Sequence, residues 1–286
     1  MKTGIVILNY NDFETTKWML EQIKDYKCLN HIIVVDNNSK DNSYEILKKL
    51  ENKKIKVIKT DSNKGYAYGN NYGIKYLEEN YDVDNVIISN PDVIVEEKVI
   101  DKLILDLKEN KDISIIAPVV EEKGQLSRGW KLPKFIDDLL SNINYFHKYF
   151  KKRLEYSDDY YKDELSKVEA VHGCFFMARL KDFKAIDYFD ENTFLYYEEN
   201  IIGKKLKDKN MNSYIDNTVK VIHNLSVSVD KSFNSIKKYK IIKTSQKYYQ
   251  KHYNNLNIFG IILLRVFYYI SLFISYIIVF LKNIRR

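Results

Sequence analysis

What most constrains this chain is a repeated order along residues 3–119: a short apolar run without polar alternation, then a stretch with helical spacing. Thr3 to Leu8 is the first run, and residues 12–25 follow with Phe13, Thr16, Leu20 and Ile23 on one face. His31 to Val35 leads through a polar turn to a helical stretch from Tyr44 to Leu50. Ile55 to Ile58 leads to Ala67–Tyr81, with Ile74 and Leu77 inward, and Val86 to Ser89 and Ile113 to Val119 continue the series. A strand that is apolar on both faces is buried on both, and helices between successive strands are the crossovers that parallel pairing needs. The pattern predicts an α/β fold with a mostly parallel sheet flanked by helices. Residues 124–166 break the rhythm and read as an insertion over one edge. From Val168 a strand-like stretch runs to Ala178, then a short helix, an acidic cluster near 198 and a last strand through Tyr214 to His223.

Ligands of parallel α/β sheets bind beyond the carboxyl ends of the strands. Here those ends read Asn9-Tyr10-Asn11, Asp36-Asn37-Asn38-Ser39, Asn63 to Asn71 (with Gly65 and Gly69) and Asn90-Pro91-Asp92. One Asp after a strand is more often a turn or cap residue, and a glycine there can simply permit a turn. Four polar ends in succession converge on one crevice. No G-x-G-x-x-G follows the first strand, which argues against a dinucleotide-dependent dehydrogenase.

Taken in order, these stretches, with His172-Gly173-Cys174-Phe175-Phe176-Met177, Phe189-Asp190-Glu191 and Phe194 to Glu199, resemble the inverting glycosyltransferases of family 2. The similarity spans about residues 3–225 and is strongest to the rhamnosyltransferase-like branch of bacterial polysaccharide synthesis. It implies a GT-A fold, a Rossmann-like sheet that binds a nucleotide-sugar and a divalent cation, Mg²⁺ or Mn²⁺. It implies that Asp36 reads the base, with Asn9, Tyr10, Asn11, Asn38, Asn63, Gly65, Asn71 and Asn90 around the donor. Asn90-Pro91-Asp92 stands where the family carries its D-x-D metal motif, so Asp92 is the implied metal carboxylate, and His223 matches a metal- or diphosphate-contacting histidine. A departing nucleoside diphosphate accumulates negative charge, which a hard cation offsets. Glu198-Glu199 matches an acidic pair whose second member is the catalytic base, although the family has Asp where this chain has Glu199. Arg128, with Trp130 and Pro133, resembles a segment near the diphosphate or acceptor. A helix cap for Asp92, a packed role for His223 and His172, and solvated Arg128, Glu198 and Glu199 remain the alternatives from the residues alone.

Charge divides the chain. Residues 1–230 carry 35 basic and 39 acidic side chains, net −4, whereas the rest has eleven basic and no acidic ones. A basic block beside an apolar segment points to anionic lipid rather than nucleic acid. Residues 258–281 are apolar apart from Arg265; as a helix they would extend about 36 Å, against a hydrocarbon core of roughly 30 Å. Basic flanks on both sides, and Arg265, Tyr269 and Tyr276 on one face, favour a helix in the interface over a span. The expected organisation is thus a catalytic domain over 1–230 and membrane-associated helices over 231–286. Cys28 and Cys174 form no disulfide or metal pattern, and the N-terminus lacks a signal-peptide core, so the cytoplasmic face of the membrane is expected. A lipid-linked saccharide acceptor suits that location; the oligomeric state is not legible. The rival readings are a sugar-phosphate nucleotidyltransferase, which would carry a Gly-rich basic signature after the first strand, and a non-catalytic nucleotide-sugar-binding scaffold.

Overall fold

The computed structural model describes residues 1–142, 152–224 and 235–284. Strands β1 (Thr3–Asn9), β2 (His31–Asp36), β3 (Ile55–Lys59) and β4 (Asn85–Ser89) lie parallel in the order β3-β2-β1-β4. Helices α1 (Phe13–Ile23), α2 (Ser43–Lys48) and α3 (Tyr66–Asn80) make the crossovers. Alternate residues of β1 feed two cores: Ile5 and Ile7 pack with Met19, Leu20 and Leu103, while Val6 packs with Ile74, Leu77 and Phe183. Burial on both faces is why these strands show no polar alternation. The strand order reverses between β1 and β4, so a crevice opens at their carboxyl ends, the position that binds ligands in open α/β sheets.

Past β4 the sheet is mixed. A two-residue strand β5 (Val93–Ile94) and helix α4 (Glu97–Glu109) precede β6 (Ile113–Glu122). The sequence pattern above passes over α4, although Val99, Ile100, Leu103 and Leu107 give it a clear buried stripe. The 124–166 stretch contributes β7 (Gln125–Ser127) to β6, helix α5 (Phe135–Ser141) and the start of β8 (Leu165–Val168), with residues 143–151 outside the described residues. The stretch expected as one strand from Val168 to Ala178 is two: β8 ends at Val168 and pairs with β10 (Asn212–His223). β9 (Phe175–Arg179) inserts antiparallel between β4 and β6. Six residues between them change partners, because the two strands satisfy their backbone groups on different neighbours. The full path is β3-β2-β1-β4-β9-β6-β10-β5.

Helices α6 (Leu180–Ala185) and α7 (Glu198–Asp208) precede β10, and α8 (Ser235–His252) and α9 (Ile258–Ile284) end the chain. Tyr249 of α8 is fully buried, and Gln250 donates to Asp138 Oδ2 of α5 (2.6 Å), so α8 is built into the α/β unit. The composition change at 230 is therefore not a break in packing. α9 is long and apolar enough to cross a membrane; from Ile258 to Ile277 its mean hydropathy is 2.1, and most of that stretch is exposed.

Candidate active site

The residues expected around the donor sit where the strand ends meet. Asn9 Nδ2 donates to Asp36 Oδ2 (2.9 Å), the Ser39 amide donates to Asp36 Oδ1 (3.0 Å), and Thr16 Oγ1 donates to Asn9 Oδ1 (2.8 Å). Asp36 is fully buried, yet each oxygen keeps a second lone pair for a ligand N–H. Tyr10 is half-buried beside them, and Asn11 and Asn38 adopt left-handed backbone at φ 51° and 59°, which Asn tolerates. Asn38 Nδ2 donates to Asp61 O (3.0 Å), and Asn63 Oδ1 accepts from Asn37 Nδ2 and the Gly65 amide. Gly65 has φ 109°, and a Cβ there would lie 2.1 Å from Phe194 O, so only glycine lets this loop meet the 194–199 segment. Asn71 is turned inward: its Nδ2 donates to Phe189 O and Glu191 Oε1, and its Oδ1 accepts the Phe189 amide. Its amide is spent on holding the turn at 189–191.

The ends of three strands bring Asp92, Glu122 and His223 together. The Asn90 amide donates to Cys174 O (2.8 Å), and Asp92, just beyond β4, is 5% exposed. At the end of β10, His223 Nε2 lies 3.2 Å from Asp92 Oδ1, while Nδ1 pairs with Glu122 Oε1 of β6 at 2.6 Å. Burial disfavours the imidazolium, but the Asp92 and Glu122 carboxylates outweigh it and hold the His223 pKa above its ordinary value. Nε2 is buried and not in line for a hydrogen bond with Asp92. A histidine with one ring nitrogen held by a carboxylate and the other facing a second carboxylate fits a divalent cation. Glu122 escaped the sequence reading; the expected strand stopped at Val119, and extending the strand-end rule to the observed end of β6 finds it.

The acidic pair stands at Gly173, next to Cys174 in the chain. Glu198 and Glu199 open α7, where the helix dipole favours one negative charge. Burial first, then the Glu199 charge, pushes Glu198 up to about 8. Burial likewise raises Glu199, opposed by its own amide and the Gly173 N–H. Two such carboxyls do not ionise independently, and the pair holds a proton near neutrality. Glu198 Oε1 is buried without a partner. Burial raises the Cys174 thiol, and the Glu122, Asp92 and Glu199 charges raise it further. Tyr66 Oη, not singled out from the sequence, donates to Gly173 O (2.8 Å) and ties the loop before α3 to the same segment.

The model of glycosyl transferase family 2 matches residues 4–186. The chain belongs to that family. It is 27% identical over 225 residues to the low-salt glycan biosynthesis hexosyltransferase Agl10 of Haloferax volcanii, over 78% of this chain and 67% of that protein. The structure of S. aureus TarS 1-349 with UDP-GlcNAc superposes with a TM-score of 0.59 at 13% identity, over 93% of this chain and 71% of that one. GalNAc-T7 with UDP, GalNAc and Mn²⁺ gives a TM-score of 0.62 at 14% identity, over 89% of this chain and 49% of that one. The mannosyltransferase PcManGT from Pyrobaculum calidifontis, with GDP-Man and Mn²⁺, gives 0.59 at 9% identity, over 87% and 64%. The fold is the GT-A arrangement, a mixed α/β sheet with flanking helices.

In this family 2 member the match ends before Glu198, His223 and the tail, so their arrangement comes from the structure. Arg128 lies over the Tyr161 ring (4.9 Å) with its Nε buried and unpartnered, and His172 pairs with Ser127 Oγ (2.6 Å) and packs edge-on to Trp130. A separate cluster, Asp106, Glu164 and Asp216, has metal-like spacing, and the Lys102 ammonium already pairs with all three carboxylates. Gly173 backs closely onto the second glutamate: a Cβ there would lie 2.5 Å from Glu199 Oε1. Gly173→Ala is therefore expected to displace the movable carboxylate rather than unfold the chain. Turnover should fall roughly 10²-fold at near-unchanged donor affinity, since a shift of about 1 Å suffices for such a loss. A melting curve beside kcat and KM would check it; unchanged kcat would mean that Glu199 is not held in a reactive position.

Proposed function

We propose that this chain is an inverting glycosyltransferase that moves a hexosyl group from a nucleotide-sugar to a lipid-linked glycan at the cytoplasmic face of a membrane. A UDP- or dTDP-sugar is the proposed donor, with dTDP-rhamnose suggested by the rhamnosyltransferase-like motifs. One observation carries the reading: in a pair of carboxyls with raised pKa, Glu198 and Glu199, the second packs on Gly173, and the next residue, Cys174, accepts the amide of Asn90 at the strand end that leads to Asp92, His223 and Glu122. Asp36, Asn9 and Asn38 hold the nucleotide. Asp92 and His223 would hold Mg²⁺ or Mn²⁺, which offsets the charge of the diphosphate. Glu199 accepts the proton of the acceptor hydroxyl as its oxygen bonds to the anomeric carbon, and the bond from that carbon to the diphosphate breaks on the opposite side. Glu198, uncharged near neutrality, lets Glu199 carry the charge of the pair.

The test is nucleoside diphosphate release from a panel of UDP-, dTDP- and GDP-sugars with Mg²⁺, Mn²⁺ or EDTA and a lipid-linked acceptor. Metal-dependent transfer from one donor, with the product's anomeric configuration opposite to the donor's by NMR, is the expected result. Silence across the panel from folded protein, or retained configuration, would overturn the reading. The pH dependence has a definite sign. Because burial raises both carboxyls, the base form is gained only above the ordinary glutamate range, so kcat/KM should fall on the acid side with an apparent pKa above that of a free glutamate. An acid limb at or below the free-glutamate value would remove Glu199 from the role of base.

A further inference from the structure

Away from the crevice, α8 and α9 line an open cavity of about 470 Å³ formed by Lys243, Thr244, Gln246, Lys247, Leu264, Arg265, Tyr268 and Tyr269. It far exceeds the roughly 30 Å³ that one water takes in the liquid. Three of its walls are cationic. Among the described residues none of the three forms an ion pair with a carboxylate, and no Asp or Glu follows Asp230 in the chain. Asp138 acts on Lys243 only at a distance, its oxygens being bonded to Tyr197 and Gln250. Lys243 is half-buried over the Tyr239 ring (5.5 Å). A partly desolvated cation without a counter-ion is unfavourable, and an anion from outside reverses that cost.

The setting says where such an anion comes from. The outward side of α9 exposes Phe259, Ile262, Val266, Ile270, Phe273 and Ile277, an apolar face that water does not favour. The same helix supplies Leu264, Arg265, Tyr268 and Tyr269 to the cavity. α8 runs alongside: Tyr239 stacks on Tyr268 (6.1 Å), and Lys240 lies over the Tyr276 ring (5.8 Å). If α9 stood across a bilayer, Lys240 and Lys243 would be drawn toward hydrocarbon, which disfavours each cation. Lying in the interface, α9 immerses its apolar face and leaves α8 and the cavity among the headgroups. We propose that the cavity between α8 and α9 binds the phosphate or diphosphate of a membrane lipid through Lys243, Lys247 and Arg265. Gln246 lines the cavity and also donates to Tyr197 Oη (3.1 Å), one residue before Glu198, so the bound lipid and the catalytic segment share a side chain. That this lipid is the glycan acceptor rests on the proposed transfer reaction; the binding does not.

The test uses the full chain and no turnover, so it fails independently of the proposed reaction. Flotation is measured with phosphatidylcholine vesicles carrying phosphatidic acid, which exposes a phosphate monoester, or phosphatidylglycerol at matched surface charge. The protein is expected to prefer phosphatidic acid by about tenfold, as charge-assisted bonds to a monoester outnumber those to a diester. Lys243→Gln, Lys247→Gln and Arg265→Gln together should erase the preference. Lys237→Gln, Lys240→Gln and Lys251→Gln, the same charge loss outside the cavity, should weaken both vesicles alike and keep it. Lys243→Arg with Lys247→Arg, which retains the charge, guards against a folding defect by keeping the preference. Equal binding of the unmodified protein to both vesicles, or a preference that survives the cavity substitutions, would overturn the proposal. So would inorganic diphosphate binding as tightly without vesicles, which would assign the cavity to a free anion.

Discussion

Glu199→Gln is expected to lower the transfer rate by about 10²–10⁴-fold, the contribution of a positioned general base, with little change in nucleotide-sugar affinity. The amide keeps the size of the side chain and its contact with Gly173 but cannot accept the acceptor's proton. The substitution also removes a like charge beside Glu198, so the fold should not suffer; burial and that repulsion both oppose ionisation in the native pair. Single-turnover transfer, donor titration and a melting curve separate the effects. Retention of near-normal turnover with donor bound would dismiss Glu199 as the base. A matching loss of donor affinity would move it to the donor side.

Asp138→Ala should be the most damaging single change outside the crevice. Asp138 Oδ1 accepts from Tyr197 Oη (2.6 Å), Oδ2 accepts from Gln250 Nε2 (2.6 Å), and its backbone oxygen accepts from Gln246. Tyr196 and Tyr197 have φ 71° and 73°, a left-handed backbone that costs non-glycine residues about 1–2 kcal/mol each. This strained turn aims Glu198 and Glu199, and α8 braces it. Ser245 Oγ donates to Leu195 O (2.8 Å), and Tyr248 and Tyr253 donate to Asp190 Oδ2 (2.8 and 2.6 Å). Truncation to Ala strands a buried hydroxyl and a buried amide, about 1–3 kcal/mol apiece, for a net loss of roughly 2–4 kcal/mol and a drop in kcat. Asp138→Asn serves as the control. Burial raises the Asp138 carboxyl to about 6 against the donors' opposing pull, so the stability it lends is full below the ordinary aspartate range and is lost as pH rises through about 6. At pH 7 Asp138→Asn should therefore cost little, and the native chain should lose stability relative to it between pH 4 and 7. An Ala variant with native melting and turnover would show that α8 does not support the catalytic turn.

The first four strands and their helices were legible because their evidence is local. Ile5, Val6 and Ile7 are apolar in succession because both faces of β1 are covered, and a helical stripe such as Ile74–Leu77 needs only the chain's own period. The same locality made the polar ends Asn9, Asp36 and Asn90 readable as the rim of a crevice. Only the tertiary structure decided that β9 enters antiparallel between β4 and β6, and that β8 leaves it to join β10. Strand partners so distant in sequence are selected by the packing and hydrogen-bond satisfaction of the whole sheet, which no window of residues contains. The meeting of Asp92, Glu122 and His223 follows from that selection, as does the bracing of Tyr197 by Asp138 and Gln246. In the sequence α8 reads as a basic, tyrosine-rich tail; its buried side, where Ser245, Gln246, Tyr249 and Gln250 meet the catalytic unit, exists only once the unit has folded against it. Sequence determined the scaffold and the kinds of residue at its rim. Folding determined which of them touch, because contact is a property of the packed whole.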